Sequence, residues 1–214
     1  TDPVLKEELI PVTIADNGSV TYADTHTEWY NYEEKKWANA VILVNEPNEE
    51  YKIGDTILEE DIESYFVWIP KYKYKLFNLG NYTSTISLQP DTSNAQVIEI
   101  EFTLEETTDS DNSCQSPKES GESGNCEVGK WMTHPAFQSF QANGFWVGKF
   151  ETGYKDALSD KEARKNEVNV GKIIIKPDQY AWRYITSKNS FENAYLYKRE
   201  LNSHMMKNTE WGAV

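Results

Sequence analysis

Apolar positions along this chain come in short runs, and a period of two dominates over a period of 3.6. Over residues 71–76, Tyr72, Tyr74 and Leu76 fall on one face and Lys71, Lys73 and Lys75 on the other. They belong to a long strand predicted over Tyr65–Phe77, with Pro70 at a bulge or an edge because proline donates nothing to a ladder. Residues 97–104 alternate as cleanly, with Val97 (or Ile98), Ile100, Phe102 and Leu104 on the apolar side. Ala38–Val44 is the most apolar strand of the first part, Tyr51–Ile57 reads as an edge segment and Lys172–Pro177 as a short buried strand. Gly144–Glu151 sets Phe145, Val147 and Lys149 opposite Trp146 and Phe150. Asn17-Gly18 between PVTIAD and SVTYAD is a hairpin signal, since its turn needs residues that tolerate positive φ.

Helical signals are fewer. Residues 4–14 combine a short helical pattern with an extended end, and Pro11 blocks a long helix. Leu58–Tyr65 predicts one short helix, Tyr154–Asn169 a mobile polar insertion or short helix, and His134–Phe137 a turn. Residues 189–202 predict a helix capped by Asn189 or Ser190, with Phe191, Ala194, Tyr195 and Leu201 (or Tyr197) near one face. Thr209 or Asn208 caps a closing helix that begins at Glu210-Trp211. The expected class is α+β and strand-rich: a β-rich N-terminal module over 1–64 and a second domain over 65–214.

Composition changes this picture in two ways. Hydrophobic residues make up only 38% of the 214, but seven Trp and thirteen Tyr supply large buriable areas, so a packed core is expected. The net charge of −14 is uneven: residues 1–65 hold 16 acidic and 4 basic side chains, whereas the last third is slightly basic. An acidic front disfavours nucleic acid and anionic membranes as partners, because phosphate contacts need the opposite charge. No apolar run reaches the roughly 20 residues of a membrane span.

Candidate chemistry is sparse. Cys114 and Cys126 flank a polar loop within an acidic insertion at 105–130. A disulfide between them is expected to stabilise that loop by about 2–3 kcal/mol and implies an oxidising compartment. A zinc site needs more thiol or imidazole ligands than this neighbourhood offers, and a catalytic thiol needs a base. Asp109-Ser-Asp111-Asn-Ser113 opens like a calcium loop, but Cys114 and Ser120 stand where such a loop needs Gly and Glu. No nucleophile–base pattern, paired metal ligands or phosphate loop stands out, so no catalytic residue, metal or cofactor is expected. The aromatic residues Trp29, Tyr30, Tyr32 and Trp37, clustered around a charged turn, are the candidate ligand-binding residues; Trp182 is a further stacking candidate. Core packing is the competing role for each. The Lys–Tyr alternation after Pro70 fits either stacking on single strands or sugars, or a half-buried strand with a solvated Lys face.

Four strings in this order carry a resemblance: FVWIPKYKYKLF (66–77), GFWVGKFETG (144–153), IKPDQYAWRYITSKNSFENAYLYKRELN (175–202) and HMMKNTEWGAV (204–214). Together they resemble the formylglycine-generating-enzyme-like (sulfatase-modifying factor) fold, a relative of the C-type lectin fold. In that family a strand ending in Ile-Pro opens the domain. A strand with a Tyr-Glu-Thr step follows, matched by Lys149-Phe150-Glu151-Thr152. Next come a Trp-containing segment leading into a helix, matched by Tyr180-Ala181-Trp182-Arg183, and a Glu-Trp helix, matched by Glu210-Trp211. With the strings LIPVTIADNGSV and KWANAVIL ahead of them, the chain is similar to surface, pilin-like and phage tail proteins of Gram-positive bacteria and their phages.

The resemblance implies a partial formylglycine-enzyme-like or C-type-lectin-like domain over 65–214. In the family, the catalytic cysteines and most calcium ligands follow the Glu-Trp helix, and neither Cys114 nor Cys126 matches those positions. Trp211 is then expected to be a core anchor that awaits partners, not a site residue. The expected function is a non-enzymatic structural or display protein of an extracellular assembly (phage tail, surface filament or pilus) that mediates attachment. Its partners are copies of itself, other subunits, or a cell-surface glycan or protein. Residues 1–14 are the expected arm for pairing with a neighbouring subunit. The alternative is a glycan- or protein-binding adhesion module of C-type-lectin-like type.

Overall fold

The computed structural model describes residues 2–44, 51–75, 99–103, 132–138 and 143–214. In chain order the strands are β1 (Ile10–Ile14), β2 (Val20–Tyr22), β3 (Asn39–Leu43), β4 (Thr56–Ile57), β5 (Ile62–Pro70) and β6 (Tyr72–Lys75). There follow β7 (Glu99–Phe102), β8 (Met132–Thr133), β9 (Gly144–Gly148), β10 (Gly153–Tyr154) and β11 (Ile173–Ile174). Among the described residues the α-helices are α1 (Pro135–Gln138), α2 (Ser187–Tyr197) and α3 (Asn208–Ala213). The chain is mixed and strand-rich, and its main antiparallel sheet curls into a half-barrel.

Two compact units are drawn from discontinuous stretches. One holds residues 4–68 and 146–206; the other holds 1–3, 69–145 and 207–214. The division at 64/65 expected from the sequence falls instead inside β5, whose residues from Ile62 onward pair with β3.

In the larger unit the sheet order is β4-β2-β1-β3-β5-β9. The Asn17-Gly18 turn forms as expected: Gly18 has φ +85°, and the Asn17 Oδ1 accepts the Ser19 N–H at 3.0 Å. It joins β1 to β2 with Ile14 opposite Val20. All five residues of β3 are buried, which matches its unbroken apolar run: a strand covered on both faces needs no alternation. One face packs Val12, Val41, Ile62 and Tyr65 together; the other packs Ala40 and Ile42 against Leu9. β4 lies at the edge, as expected of that segment.

Residues 4–14 form no helix, and they are not a spare arm. β1 is hydrogen-bonded on both sides within the chain, and the Trp146 Nε1 donates to the Val4 carbonyl at 2.8 Å. The predicted helix at 58–65 is one 3₁₀ turn, Glu59–Asp61, because Ile62 and Ser64 take the inward positions of β5. Residues 155–169 are turns rather than a helix, pinned by the bonds from Lys155 N–H to the Lys172 carbonyl and from Lys165 N–H to the Arg183 carbonyl. The short buried strand expected at 172–177 is present as β11, and Ile175 beyond it is buried too.

α2 begins earlier than expected. Its cap is Thr186, whose Oγ1 accepts the Asn189 N–H at 3.4 Å. Its inward face also differs. Phe191 and Tyr195 are exposed, while the buried residue is Asn193, which donates to the Glu167 carbonyl and accepts the Asn169 N–H. Tyr197 reaches Ser64 in β5, oxygen to oxygen 2.7 Å. Of the residues expected on one face, Leu201 packs against Leu9, Ala40 and Ile42 and Tyr197 faces β5, whereas Phe191 and Tyr195 do not turn inward; the polar bonds of Asn193, which a hydrophobic period does not register, complete the docking.

In the smaller unit β6 is the central strand of the order β7-β6-β8, with Tyr72 opposite Phe102 and Lys73 opposite Glu101. The expected solvated lysine face is only partly such: Lys71 is buried, and Lys73 pairs with Glu101 at 2.9 Å. Ile100, expected on an apolar face, is exposed. His134–Phe137 holds a single helical turn, α1, that buries Phe137 completely. α3 docks through the Tyr72 hydroxyl, which donates to the Ala213 carbonyl at 2.9 Å. Its first turn is closed by the Lys207 N–H donating to the Glu210 carboxylate at 2.8 Å, not by Asn208 or Thr209. Glu210 is buried, whereas Trp211 is 74% exposed and is not packed into the core of this unit.

Candidate functional site

The four aromatic residues singled out by the sequence come together in the larger unit as one continuous ladder. Their segment begins where the Ala23 N–H donates to the Pro11 carbonyl at 2.9 Å, which anchors the loop to β1. Trp29 then turns inward, is buried, and donates its indole N–H to the Val12 carbonyl at 3.1 Å. The chain reverses at Asn31–Lys36, whose backbones exchange two hydrogen bonds of 2.8 Å, with Lys35 in the left-handed region at φ 60°. The Asn31 side chain accepts the Glu34 N–H and donates to the Glu28 carboxylate at 2.9 Å. A short, internally bonded turn of this kind holds the rings on either side of it rigidly.

The first pair meets edge to face and the next two are tilted, with interplanar angles of 78°, 32° and 54°. Trp29 and Tyr30 have centroids 5.8 Å apart, Tyr30 and Tyr32 4.9 Å, and Tyr32 and Trp37 5.6 Å. On the inner side, Trp29 stacks on Trp146 at 6.3 Å, and Trp146 meets Trp68 at 5.3 Å. Each such contact contributes about 0.5–1.5 kcal/mol beyond the area it buries. The ladder therefore runs from a buried tryptophan cluster out to Trp37, which is 40% exposed, with Tyr30 and Tyr32 half-buried between. Trp29 belongs to the core; Trp37 and the two tyrosines present the accessible part. Trp182 stands apart: it meets Tyr154 edge to face at 5.0 Å and donates to the Lys165 carbonyl at 2.7 Å.

The structure adds residues that the sequence reading did not connect to this site. Trp68 and Trp146 continue the ladder inward, and Asn39, directly after the Trp37-Ala38 pair, donates to the Trp37 carbonyl at 2.8 Å. The other end of the Asn39 carboxamide accepts from the Lys149 ammonium at 2.7 Å. Burial pulls the Lys149 amine below the usual lysine range. Alternation in β9 was the signal for Trp146, but nothing local to Asn39 or Lys149 announced that they meet.

Two other titratable groups are held by their neighbours, one in the core and one in an exposed ion pair. His134 sits among Tyr72, Tyr74 and Phe137, its Nδ1 accepts the Ala136 N–H at 3.3 Å, and burial lowers its pKa. Asp160 is held by Arg164 and Arg183, whose hydrogen bonds keep its carboxyl below the usual range. Among the described residues no group of three His, Cys, Asp or Glu side chains converges as a metal site, and no helix is long and apolar enough to cross a membrane. Cys114, Cys126 and the Asp109–Ser113 stretch lie outside the described residues.

Comparison with protein-family models, with curated proteins and with solved structures found no match to this chain.

Proposed function

We propose that this chain is a non-enzymatic display module of an extracellular assembly, of formylglycine-generating-enzyme-like or C-type-lectin-like type, and that it attaches to a cell-surface glycan through the outer rungs of the aromatic ladder. The observation that carries this reading is the graded exposure from buried Trp29 to exposed Trp37 along one set of touching rings. Rings with few rotatable bonds, backed by a packed core, lose little conformational entropy on contact, so they suit recognition by stacking. Asn31, Glu28 and Lys36 are engaged with one another in the turn, which sets the ring faces beside a fixed backbone. A net charge of −14 supports a neutral ligand over a polyanionic one.

A free-standing adhesion module uses the same ladder and differs only in assembly. Negative-stain microscopy separates the two readings: filaments or particles support the display role, and a monodisperse monomer supports the adhesion module. Attachment itself is tested on a glycan array and on intact bacterial cell walls. Binding by the native protein that falls at least tenfold in Trp37→Ala, with an unchanged melting profile, is the expected result. No binding by the native protein to either material, or equal binding by Trp37→Ala, overturns the attachment role.

A further inference from the structure

We propose that Lys149 and Asn39 are the precursors of an intramolecular isopeptide cross-link that ties β3 covalently to the segment following β9. The geometry is that of two reactants held at contact. The Lys149 Nζ lies 2.7 Å from the Asn39 Oδ1, across a sequence separation of 110 residues. Both backbones are fixed where they stand. Asn39 pairs with Val12 on one side and Val67 on the other, and the Lys149 N–H donates to the Tyr65 carbonyl at 2.9 Å. β5 lies between β3 and β9 in the sheet, so the link spans a strand. Holding amine and carboxamide together in this way removes the entropic part of the barrier to a reaction that is negligible between free side chains.

The carboxamide is also oriented. Asn39 is buried, and its Nδ2 donates to the Trp37 carbonyl at 2.8 Å, which turns Oδ1 and the carbonyl carbon toward the lysine. The amine must be neutral to attack, and burial lowers the Lys149 pKa, which raises that fraction. The step balances without an oxidant. The Lys149 ammonium first gives one proton to solvent. Its lone pair then forms the Nζ–Cγ bond to Asn39, the Cγ–Nδ2 bond breaks, and a second Nζ proton passes to the departing nitrogen, which leaves as ammonia. The proposal is independent of the attachment reading, since no ligand takes part.

Intact-mass spectrometry of the folded native chain tests it, followed by peptide mapping. The expected result is a mass lower by one ammonia and one branched peptide joining Lys149 to Asn39, with Lys149→Met and Asn39→Ala each restoring the mass calculated from sequence. Recovery of both peptides separate and unmodified from the native chain overturns the proposal. So does an ammonia loss that maps to the Asn17-Gly18 turn, where a succinimide forms instead. The measurement is made on the native protein, so it decides the matter even where a variant fails to fold.

Discussion

Replacing Tyr197 with Phe removes one oxygen from the bond that fastens α2 to the main sheet. The partner, Ser64, is fully buried in β5, and the two hydroxyl oxygens are 2.7 Å apart. The loss has two parts. A neutral hydrogen bond contributes about 1 kcal/mol net, and a buried hydroxyl left with no partner costs about 1–3 kcal/mol. Tyr197→Phe is therefore expected to destabilise by about 2 kcal/mol. Ser64→Ala is milder, at about 1 kcal/mol, because the Tyr197 hydroxyl retains the Glu63 carboxylate as a neighbour. Burial first, and then Glu63, hold this hydroxyl protonated well beyond the usual phenol range, so the effect is the same throughout the neutral range. The double variant is expected to fall about 1 kcal/mol short of the sum of the singles, the signature of groups in direct contact. Trp29, Trp68 and Trp146 report unfolding of this unit by fluorescence, and for a chain of this length Tyr197→Phe corresponds to a melting temperature lower by roughly 4–8 °C. A Tyr197→Phe melt within 1 °C of native, or strict additivity in the double variant, refutes the reasoning.

Two further outcomes follow from the packing. A Cβ at Gly153 would lie 2.9 Å from the Gln179 Cβ and 3.0 Å from the Ile174 Cγ2, so Gly153→Ala is expected to cost about 1–3 kcal/mol, read from the denaturant midpoint. Burial, with Tyr74 beside it, pushes the Tyr72 hydroxyl up to about 12, whereas the unfolded chain ionises it near 10. Across that window the folded state keeps a proton that the unfolded state has lost, so stability is full below pH ~10 and declines as pH rises toward ~12. Tyr72→Phe is expected to flatten part of that alkaline decline in melting temperature, at the cost of the bond to the Ala213 carbonyl at every pH.

Local chemistry made much of this protein legible from sequence. The Asn17-Gly18 hairpin, the edge strand at 56–57, the doubly covered β3 and the buried β11 are set by turn residues and runs of apolar side chains, which act over a few positions. The aromatic cluster was legible for the same reason: Trp29, Tyr30, Tyr32 and Trp37 lie within nine positions and the turn between them brings them together. What the sequence could not rank was their burial, because an aromatic ring serves a core or a surface equally well.

The tertiary structure decided the rest through contacts between distant residues. It placed β1 in the middle of the sheet, where it pairs with β2 and β3, and so removed the arm that residues 1–14 suggested. It docked α2 through Asn193, a polar group that a hydrophobic period does not register, as well as through the hydroxyl of Tyr197. It left Trp211 in solvent while burying Glu210 beside it. And it joined Lys149 to Asn39 across 110 residues, since pairing in a sheet is set by strand order, which no local pattern along the chain encodes.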